Sequence, residues 1–349
     1  MAISLHAASL TPPPSLFADP AIIGVAYSIT VGVFVGAAVK IRGLVKRFGS
    51  FAAVNGLNLD IEEGEIFGLL GPNGSGKSTT LLVIATVYKP SEGDVEVYGY
   101  SVTKSPDQVR RLVGIAFQEP KALWVDNPYE LLVWHAMVVG YSLLDARRAV
   151  REIMEELEIW EHRGKLFSEL SGGTRKKVEI AKLFLQRPRV AIFDEPTAQL
   201  DVTTKHKVWD MIERFKEEGR TIIVATNDMT EADRLSDRVG IIYKGNLKAL
   251  GSPAELKDRI PAGDVLEFSV EGELGEQLSA ALARALNSER VNVANGTLKV
   301  YVNRAEEKVA LAIETLSKLG VRVRSVSIKE PSLDDVFFYF TGAQLREGR

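Results

Sequence analysis

Short apolar blocks that end in polar residues recur along the chain, as expected for strands buried in a sheet. The blocks are EIFGLL (65–70), RLVGIAFQ (111–118), VAIFDEP (190–196) and TIIVATND (221–228). A glycine-rich loop follows the first block, and the segment STTLLVIATVY after it can continue as a helix. Strand, loop and helix in this order predict an α/β fold, in which the polar strand ends line one edge of the sheet.

Helical spacing replaces this pattern between about residues 119 and 186, where apolar residues recur every three or four positions. These residues are Leu131, Leu132, Trp134, Met137, Val138, Val150, Ile153, Met154 and Leu157. We therefore expect a helical subdomain inserted into an α/β head that spans residues 39–260.

A second, smaller domain is predicted over residues 264–342, where the pattern becomes strand, helix, two hairpin strands, helix and strand. Asn295 and Gly296 supply the hairpin turn, and a short last helix is expected from Ser332. This β-α-β-β-α-β order is the ferredoxin-like α+β pattern.

Residues 1–38 form an appendage of different character. The stretch from Ala21 to Val39 is nineteen residues without a charge, just long enough to span a bilayer. Lys40 and Arg42 follow it and would keep its C-terminal end in the cytoplasm. Two interpretations stay open, a single N-terminal membrane anchor or a segment translated from a wrongly placed start.

Composition narrows the remaining choices. The 349 residues are 46% hydrophobic and 26% charged, which suits a globular protein of about two domains. A formal net charge of -3 gives no overall attraction to nucleic acid, although a local basic patch would not show in that sum. The absence of cysteine excludes disulfides and thiolate metal sites, and four scattered histidines disfavour a histidine metal site.

The segment GPNGSGKST fits the phosphate-loop pattern G-x-x-x-x-G-K-[ST], placed between a strand and a helix as that motif requires. Backbone N–H groups of such a loop turn inward on a phosphate, and the helix N-terminus adds positive potential. Lys77 would reach the β and γ phosphates, and the Ser78 hydroxyl would ligate Mg²⁺. The predicted nucleotide-binding residues here are Gly71, Pro72, Asn73, Gly74, Ser75, Gly76, Lys77, Ser78 and Thr79.

An acidic pair ends the strand VAIFDE. Asp194 would hold Mg²⁺ directly or through water, because a hard cation prefers carboxylate and water oxygens. Glu195 is then free to orient the attacking water or to accept its proton. Alone, such a pair is as often a strand leaving the core, but its occurrence with the phosphate loop favours the functional interpretation.

Two further motifs flank this strand, LSGGTRKK (170–177) before it and AQLD (198–201) after it. Together with the phosphate loop, Gln118 and DEPT, they occur in the order and rough spacing found in the ATP-binding subunits of ABC transporters. Over about residues 40–255 the chain resembles that family. The resemblance implies a P-loop NTPase head of ABC type that binds ATP with Mg²⁺ and hydrolyses it.

In that family the SGG signature contacts the γ-phosphate bound by the opposite subunit, so that two heads enclose two ATP molecules. The resemblance therefore assigns Ser171, Gly172 and Gly173 to ATP binding in trans, and it places Asp201 near the shared interface. Read from the residues alone, an ordinary helix capped by Ser171 explains the segment equally well. Thr174 stands where many relatives have glutamine, and we expect this departure to tune the contact.

Two more roles follow from the same resemblance. Gln118 would ligand Mg²⁺ or the attacking water and report the nucleotide state to the helical subdomain; its alternative is a plain polar strand end. Phe48 matches the aromatic residue that stacks on adenine, where a flat ring binds a base by its face. A core phenylalanine is the alternative for that position.

Asn227 departs from the family, which usually has a histidine after the strand that follows DEPT. An asparagine amide can donate a hydrogen bond to a γ-phosphate oxygen, but it cannot carry the imidazolium charge or relay a proton. Asn227 also suits a helix cap before TEADRL. We expect slow hydrolysis with Glu195 as base and Asn227 as a positioning group; the alternative is an ATP-gated binding or regulatory protein with little turnover.

The C-terminal stretch SIKEPSLDDVFFYFTG (327–342) resembles the tail of exporter ATPases of the daunorubicin-resistance type. This implies export of a drug or lipid-like compound from the cytoplasmic face of the membrane. The implied partners are a second ATPase head, in a homodimer, and a separate multi-helix membrane permease. No nucleic acid partner is expected, since ABC ATPases that act on nucleic acid or ribosomes usually carry tandem heads or long coiled-coil insertions.

Overall fold

The structure is a computed structural model that describes residues 36–119, 127–260, 263–271, 276–288, 291–294 and 297–342. The chain divides into two compact units, each assembled from separate segments. Among the described residues, the first unit holds residues 36–39, Ile61–Gly64 and the chain from Val97 to Ile223. The second unit holds Lys40–Asp60, Glu65–Glu96 and the described residues from Val224 to Gly342.

Strands and helices alternate through much of the described chain. The strands are β1 Ala37–Phe48, β2 Phe51–Glu62, β3 Ile66–Leu70, β4 Glu92–Val97, β5 Tyr100–Ser101, β6 Val113–Ala116, β7 Val190–Asp194, β8 Thr221–Thr226, β9 Arg238–Tyr243, β10 Asn246–Gly251, β11 Asp264–Glu271, β12 Val291–Ala294, β13 Thr297–Val302 and β14 Arg322–Lys329. The helices are α1 Lys77–Ile84, α2 Pro106–Leu112, α3 Pro128–Val138, α4 Leu143–Glu156, α5 Gly172–Gln186, α6 Val202–Glu217, α7 Met229–Leu235, α8 Pro253–Asp258, α9 Glu276–Leu286, α10 Ala305–Lys318 and α11 Leu333–Thr341.

The central sheet has the order β10-β9-β3-β8-β7-β6. β3 and β9 run parallel, as do β6 and β7, and every residue of β3, β7 and β8 is buried. This agrees with the continuous apolar blocks, because a strand covered on both faces has no polar side. A separate four-stranded sheet has the order β2-β1-β4-β5.

One predicted strand is shorter than expected, because residues 111 and 112 end helix α2 and only Val113–Ala116 form β6. Pro106 stands at the helix start, where its missing N–H costs nothing, and Asp107 and Arg110 complement the helix dipole at either end. These local signals override the apolar block that suggested a longer strand.

The helical subdomain contains α3, α4 and α5, and each helix is capped by the side chain of the residue before it. Asn127, Ser142 and Ser171 accept hydrogen bonds from backbone N–H groups of the first turns. The apolar positions of α3 are only partly core, since Trp134 is 65% and Val138 is 63% exposed. Residues 120–126, at the start of the predicted insert, lie outside the described residues.

The C-terminal segment forms an antiparallel sheet of order β12-β13-β11-β14, which matches the predicted ferredoxin-like pattern. Its core lies between this sheet and helices α9 and α10. Helix α11 instead packs on α7, α8 and β10 of the same unit. That second core contains Leu333, Val336 and Phe337 together with Met229, Ala232, Val239, Ile241, Ala249, Leu256 and Tyr301. The hairpin turn predicted at Asn295–Gly296 lies outside the described residues.

Strand β1 begins at Ala37, two residues before the predicted start of the head. Residues 37–39, which end the proposed membrane span, are instead buried in this strand. Residues 1–35, which carry the rest of that span and the appendage, lie outside the described residues. Within the described ranges, none of the helices combines the length and apolarity needed to cross a bilayer.

Candidate ATP-binding and hydrolysis site

The phosphate loop lies in the second unit between β3 and α1, as predicted. Lys77 begins the helix and is 5% exposed. Its Nζ donates to the backbone oxygens of Gly71 at 2.7 Å and Pro72 at 3.3 Å, and the Ser75 N–H donates to Pro72 O at 3.1 Å. The ammonium is thereby held against a tight turn at a helix N-terminus, an arrangement suited to polyphosphate binding.

Two glycines of this loop are required by close approach of other backbone segments. Gly76 precedes α1 with φ 110°, and a Cβ there would lie 2.5 Å from Ala53 O. A Cβ on Gly71 would lie 2.3 Å from Ile242 O. Neither position accepts a side chain without moving the backbone.

The remaining loop residues are more accessible. Asn73 and Gly74 form the exposed tip, and Gly74 has a left-handed φ of 77° with open space around it. Ser78 and Thr79 are half-buried in the first turn of α1. Both residues therefore directly follow the loop that is predicted to cradle the phosphates.

Asn227 lies beside the phosphate loop. Its Nδ2 is 3.5 Å from Asn73 Oδ1, at the outer limit of a hydrogen bond. The strand end before it is tied to the same loop, because Gly71 N–H donates to Thr226 O at 3.3 Å. The structure therefore brings Asn227 and the loop together.

The cap of helix α7 is Asp228, and Asn227 does not have this role. Asp228 Oδ1 accepts from the N–H groups of Thr230 at 2.9 Å and Glu231 at 3.1 Å. Of the two interpretations of Asn227, the helix cap is therefore wrong. Its side-chain amide is half-buried and available to a bound ligand.

Phe48 ends β1 as an exposed ring rather than a core residue, with 44% of its surface accessible. Its ring makes an edge contact with Tyr88, with centroids 5.4 Å apart. The Lys46 ammonium lies 5.0 Å from the Phe48 centroid and donates to Lys89 O at 2.9 Å. These contacts orient the ring, and its exposure leaves area for stacking on a base.

The acidic pair lies in the first unit at the end of β7, and both carboxylates are buried, at 5% for Asp194 and 6% for Glu195. Glu195 has φ 51°, in the left-handed region that residues other than glycine seldom adopt. Such strain is typical of functional positions that the surrounding structure holds in place. The chain bends at Glu195, directly after β7 ends at Asp194.

Gln118 follows β6 in the first unit, and its side chain is exposed. Its backbone is held by Lys176, a residue of α5. The Lys176 Nζ donates to Phe117 O at 2.9 Å, to Gln118 O at 3.3 Å and to Asp194 O at 2.8 Å. The structure therefore joins the chain segments of two predicted magnesium ligands, Gln118 and Asp194.

The signature turn, residues 171–173, opens α5 on the surface of the first unit. Ser171 and Gly172 are exposed, and Ser171 Oγ accepts from the Thr174 N–H at 3.2 Å. The Thr174 hydroxyl lies 2.8 Å from the same Oγ, so this residue adds to the cap. The turn is thus an ordinary capped helix start whose first two residues, Ser171 and Gly172, are exposed.

Residues 198–201 lie against this turn. A Cβ on Gly173 would lie 3.1 Å from Gln199 O, and Gln199 itself has a left-handed φ of 67°. Asp201 caps α6, accepting from Thr204 N–H at 3.0 Å and from its hydroxyl at 2.7 Å. Hydrogen bonding from the Thr204 side chain lowers the pKa of Asp201 below its ordinary value, so this exposed carboxylate stays ionised.

The three predicted magnesium ligands are Ser78 of the second unit and Asp194 and Gln118 of the first. Ser78 offers a hydroxyl, Asp194 a carboxylate and Gln118 an amide oxygen, and all three are the oxygen ligands that a small hard cation prefers. One carboxylate and two neutral oxygens leave coordination positions for phosphate oxygens and water. The residues are therefore suited to MgATP rather than to an ion enclosed by protein alone.

Sequence reasoning missed the two residues that hold the Gln118 segment, Lys176 and Glu179. Both are charged and lie in the run TRKKVE, which is easily taken for a solvated helix face, yet they are only 3% and 2% exposed. Helical spacing carried the available signal, because Lys176 lies four residues before the buried Ile180 and so shares its face.

Two protein families match the chain. The family described as ABC transporter matches residues 54–198, which contain the phosphate loop, Gln118, the signature and the acidic pair. The family described as ATP-binding protein DrrA1-3-like, C-terminal domain, matches residues 251–339.

Curated relatives match most of the chain. The daunorubicin/doxorubicin resistance ATP-binding protein DrrA of Streptomyces peucetius is 33% identical over 87% of this chain and 92% of its own length. The linearmycin resistance ATP-binding protein LnrL of Bacillus subtilis is 27% identical over 88% and 99%. A Nod factor export ATP-binding protein I of Burkholderia lata is 30% identical over 89% and 99%.

Solved structures match the head. An ATP-binding subunit of an ABC transporter superimposes with a TM-score of 0.59 at 25% identity, covering 64% of this chain and 92% of that one. A dimeric ATP-binding cassette in a post-hydrolysis state, bound to ADP and Pi, superimposes with a TM-score of 0.58 at 27% identity over 61% and 98%. The chain therefore belongs to the ABC transporter family, as the ATP-binding and ATP-hydrolysing subunit of an exporter.

Proposed function

We propose that two copies of this chain pair head to head around MgATP and use its hydrolysis to drive export through a separate membrane permease. The observation that supports pairing is the signature turn, whose exposed Ser171 and Gly172 open a fifteen-residue helix toward solvent. A helix N-terminus with accessible N–H groups attracts an anion. The γ-phosphate bound by a second copy is the anion that this turn would contact, with Asp201 near the interface.

ATP binding rests on the residues of the second unit. Loop N–H groups and Lys77 would hold the phosphates, while Phe48 would stack on the adenine. Mg²⁺ on Ser78, Asp194 and Gln118 would neutralise charge that develops on the phosphates.

Glu195 is the proposed general base for hydrolysis. Its carboxylate would take a proton from the attacking water, and the Asn227 amide would donate a hydrogen bond to a γ-phosphate oxygen. Asn227 cannot relay a proton, so the whole proton transfer falls to Glu195. We expect a turnover rate lower than that of a head with histidine at this position.

The exported compound and the permease are proposed from the relatives. Their names connect them with resistance to daunorubicin, doxorubicin and linearmycin and with export of Nod factor. A drug or lipid-like compound is the corresponding substrate class here, exported by a complex in which this subunit lies on the cytoplasmic face of the membrane. Co-purification with a multi-helix membrane protein would support the partnership, and recovery with nucleic acid alone would contradict it.

The test of pairing and chemistry is MgATP turnover measured against protein concentration, with the full chain and a Glu195→Gln variant. We expect turnover to rise faster than linearly with concentration, and Glu195→Gln to lose about a hundredfold or more in turnover. The variant should still bind MgATP and accumulate as a dimer, because it lacks only the base.

Two results would change this proposal. Turnover strictly proportional to concentration, with no ATP-dependent dimer in Glu195→Gln, would contradict pairing. ATP-dependent dimerisation without any turnover by the unmodified chain would favour an ATP-gated binding or regulatory protein instead. The family comparisons favour the hydrolase.

A further inference from the structure

Helix α5 connects the exposed signature turn to the interior of the first unit. Its first residues lie at the surface, and Lys176, five residues after Ser171, is 3% exposed. The lysine ammonium is therefore buried only about one and a half helical turns from the surface turn.

The ammonium of Lys176 is held by backbone oxygens from two strand ends. Phe117 O and Gln118 O follow β6, and Asp194 O ends β7; the three distances are 2.9, 3.3 and 2.8 Å. A lysine ammonium has three N–H donors, so these three acceptors match its capacity. Such matching is needed, because a buried ammonium without hydrogen-bond partners is strongly destabilising.

Glu179, nearly one turn further along α5, holds the same segment from its other side. Its Oε1 accepts from the Phe117 N–H at 3.4 Å, and its Oε2 pairs with Lys182 at 2.7 Å. The N–H and the oxygen of Phe117 are therefore both bound by side chains of α5. Any displacement of α5 must pull on the residue directly before Gln118.

We propose that Lys176 is a positioning residue for hydrolysis, which sets Gln118 and Asp194 in place for Mg²⁺ and links their positions to the signature turn. The inference rests on the roles proposed above for Gln118, Asp194 and the signature. The first turn of α5 would contact the phosphate bound by the partner, and Lys176 of the same helix contacts the Gln118 and Asp194 segments. Because a helix is rigid, a shift of the signature turn would also shift these two segments. Engagement of the signature turn would then tighten magnesium binding within the same subunit.

The test compares Lys176→Met with the unmodified full chain, using MgATP binding and the Mg²⁺ dependence of turnover. Methionine keeps the length of the side chain and removes all three donors. We expect MgATP affinity to change less than about threefold, since the phosphate loop is intact, and kcat to fall about tenfold or more, since small misplacements of reacting groups are costly. The Mg²⁺ concentration for half-maximal turnover should rise about fivefold or more, because two of the three proposed protein ligands, Gln118 and Asp194, lose their support.

Two further variants keep the test decisive. Lys176→Gln retains two donors and should give an intermediate shift in Mg²⁺ dependence; it carries the test if Lys176→Met does not fold. Lys165→Met makes the same chemical change at an exposed position and should leave both quantities unchanged. A Lys176 variant with an unaltered Mg²⁺ midpoint, whether or not its thermal stability drops, would overturn the inference by reducing Lys176 to a structural role.

A Gln118→Ala variant separates this inference from the proposed site. If Gln118→Ala raises the Mg²⁺ midpoint and Lys176→Met does not, the proposed ligand stands and the positioning role fails. If neither variant moves the midpoint while Glu195→Gln abolishes turnover, the magnesium role of Gln118 fails, and the inference built on it fails too.

Discussion

The phosphate loop and the signature turn are both glycine-rich helix starts, but their glycines are required for different reasons. In the phosphate loop the fold itself excludes side chains, because a Cβ on Gly71 or Gly76 would lie within 2.3 or 2.5 Å of a backbone oxygen. In the signature turn, a Cβ on Gly172 would meet only the end of the Gln199 side chain, at 2.6 Å, which can move aside. Gly172 also has no left-handed φ that would demand glycine.

This difference indicates where the constraint on each turn originates. The phosphate loop is constrained from within the chain, and its lysine is buried against its own carbonyls. Gly172 is exposed and weakly constrained by its own fold, so close approach of something outside the chain explains the bare backbone best. Pairing with a second head is the proposal that supplies such an approach.

Gly76→Ala should have the largest effect on ATP chemistry. The substitution forces a left-handed φ of 110° on alanine and a clash with Ala53 O, so the loop must move away from the geometry that binds phosphate. We expect MgATP affinity to fall about a hundredfold or more, since several N–H contacts to charged oxygens are lost together. Equilibrium nucleotide binding by the folded variant measures this.

Gly64→Ala is the matched control for that loss. Gly64 has φ 77° with nothing near its missing Cβ, so the substitution introduces backbone strain of about 1 kcal/mol without a clash. Its nucleotide affinity should stay within about twofold of the unmodified chain. Equal losses in both variants would show that strain, rather than loop geometry, decides binding.

Gly172→Ala should separate the two turns. Alanine is favoured over glycine in a helix by up to about 1 kcal/mol, so the free energy of unfolding should not fall. A methyl group on the exposed turn would hinder the partner, and we expect ATP-driven association to weaken about tenfold, which corresponds to about 1.4 kcal/mol. Analytical ultracentrifugation in the Glu195→Gln background measures this association. Unchanged association would contradict the proposed difference between the two turns, because Gly172 would then not be required by a contact from outside the chain.

A third helix start, that of α7, lies beside the phosphate loop and directly follows Asn227 and Asp228. Because Asp228 caps α7, Asn227→Ala should lower the free energy of unfolding by less than about 0.5 kcal/mol. Turnover should fall about tenfold, since a hydrogen bond to a charged group is worth about 1.5 kcal/mol or more, while Asn227→His should raise it. If Asn227→Ala lowered the free energy of unfolding more than Asp228→Ala, the assignment of the α7 cap to Asp228 would be contradicted.

The phosphate loop could be predicted from the sequence, because a short local motif is enough to recognise it. The fully buried strands β3, β7 and β8 and the order of the C-terminal elements likewise follow from hydrophobic period alone. Each of these features depends on neighbours within a few residues. The start of β6 was misplaced because a helix signal at Pro106 competed with an apolar block.

What could not be predicted depends on long-range contacts. Lys176 looks like one more basic residue in TRKK, and its role appears only when residues 59, 58 and 18 positions away supply the acceptors. The cap of α7 required a choice between adjacent Asn227 and Asp228, which propensity ranks equally. The strained φ of Glu195 also has no signal in its own sequence neighbourhood.

Asp335 lies in the first turn of α11 and is held by residues of its own chain. Its substitution should have the smallest effect on ATP turnover. It caps α11 reciprocally with Ser332, accepts from Tyr301 Oη at 2.9 Å and pairs with Lys299 at 3.0 Å. Burial alone would raise the pKa of Asp335, but the hydrogen bonds from Ser332 and the contact with Lys299 outweigh it and hold the pKa below its ordinary value. Its ionised form therefore stabilises the packing of α11.

Asp335→Asn should lower the free energy of unfolding by about 1–3 kcal/mol near neutral pH, since a buried charged acceptor is lost, while MgATP turnover by the folded protein stays within about twofold. Because the folded pKa lies below the unfolded one, the Asp335 contribution is fully present above the unfolded value of about 3.9 and is lost as pH falls through the folded pKa. The stability gap between the two proteins, measured by urea denaturation from pH 7 downward, should therefore close in acid. Asp334→Asn makes the same change at its exposed neighbour, and we expect its stability gap to close less than that of Asp335→Asn. A turnover loss in Asp335→Asn as large as that in Asn227→Ala would mean that the packing of α11 on α7 affects the ATP site. A helix start whose polar groups are all bonded within the chain would then also influence turnover.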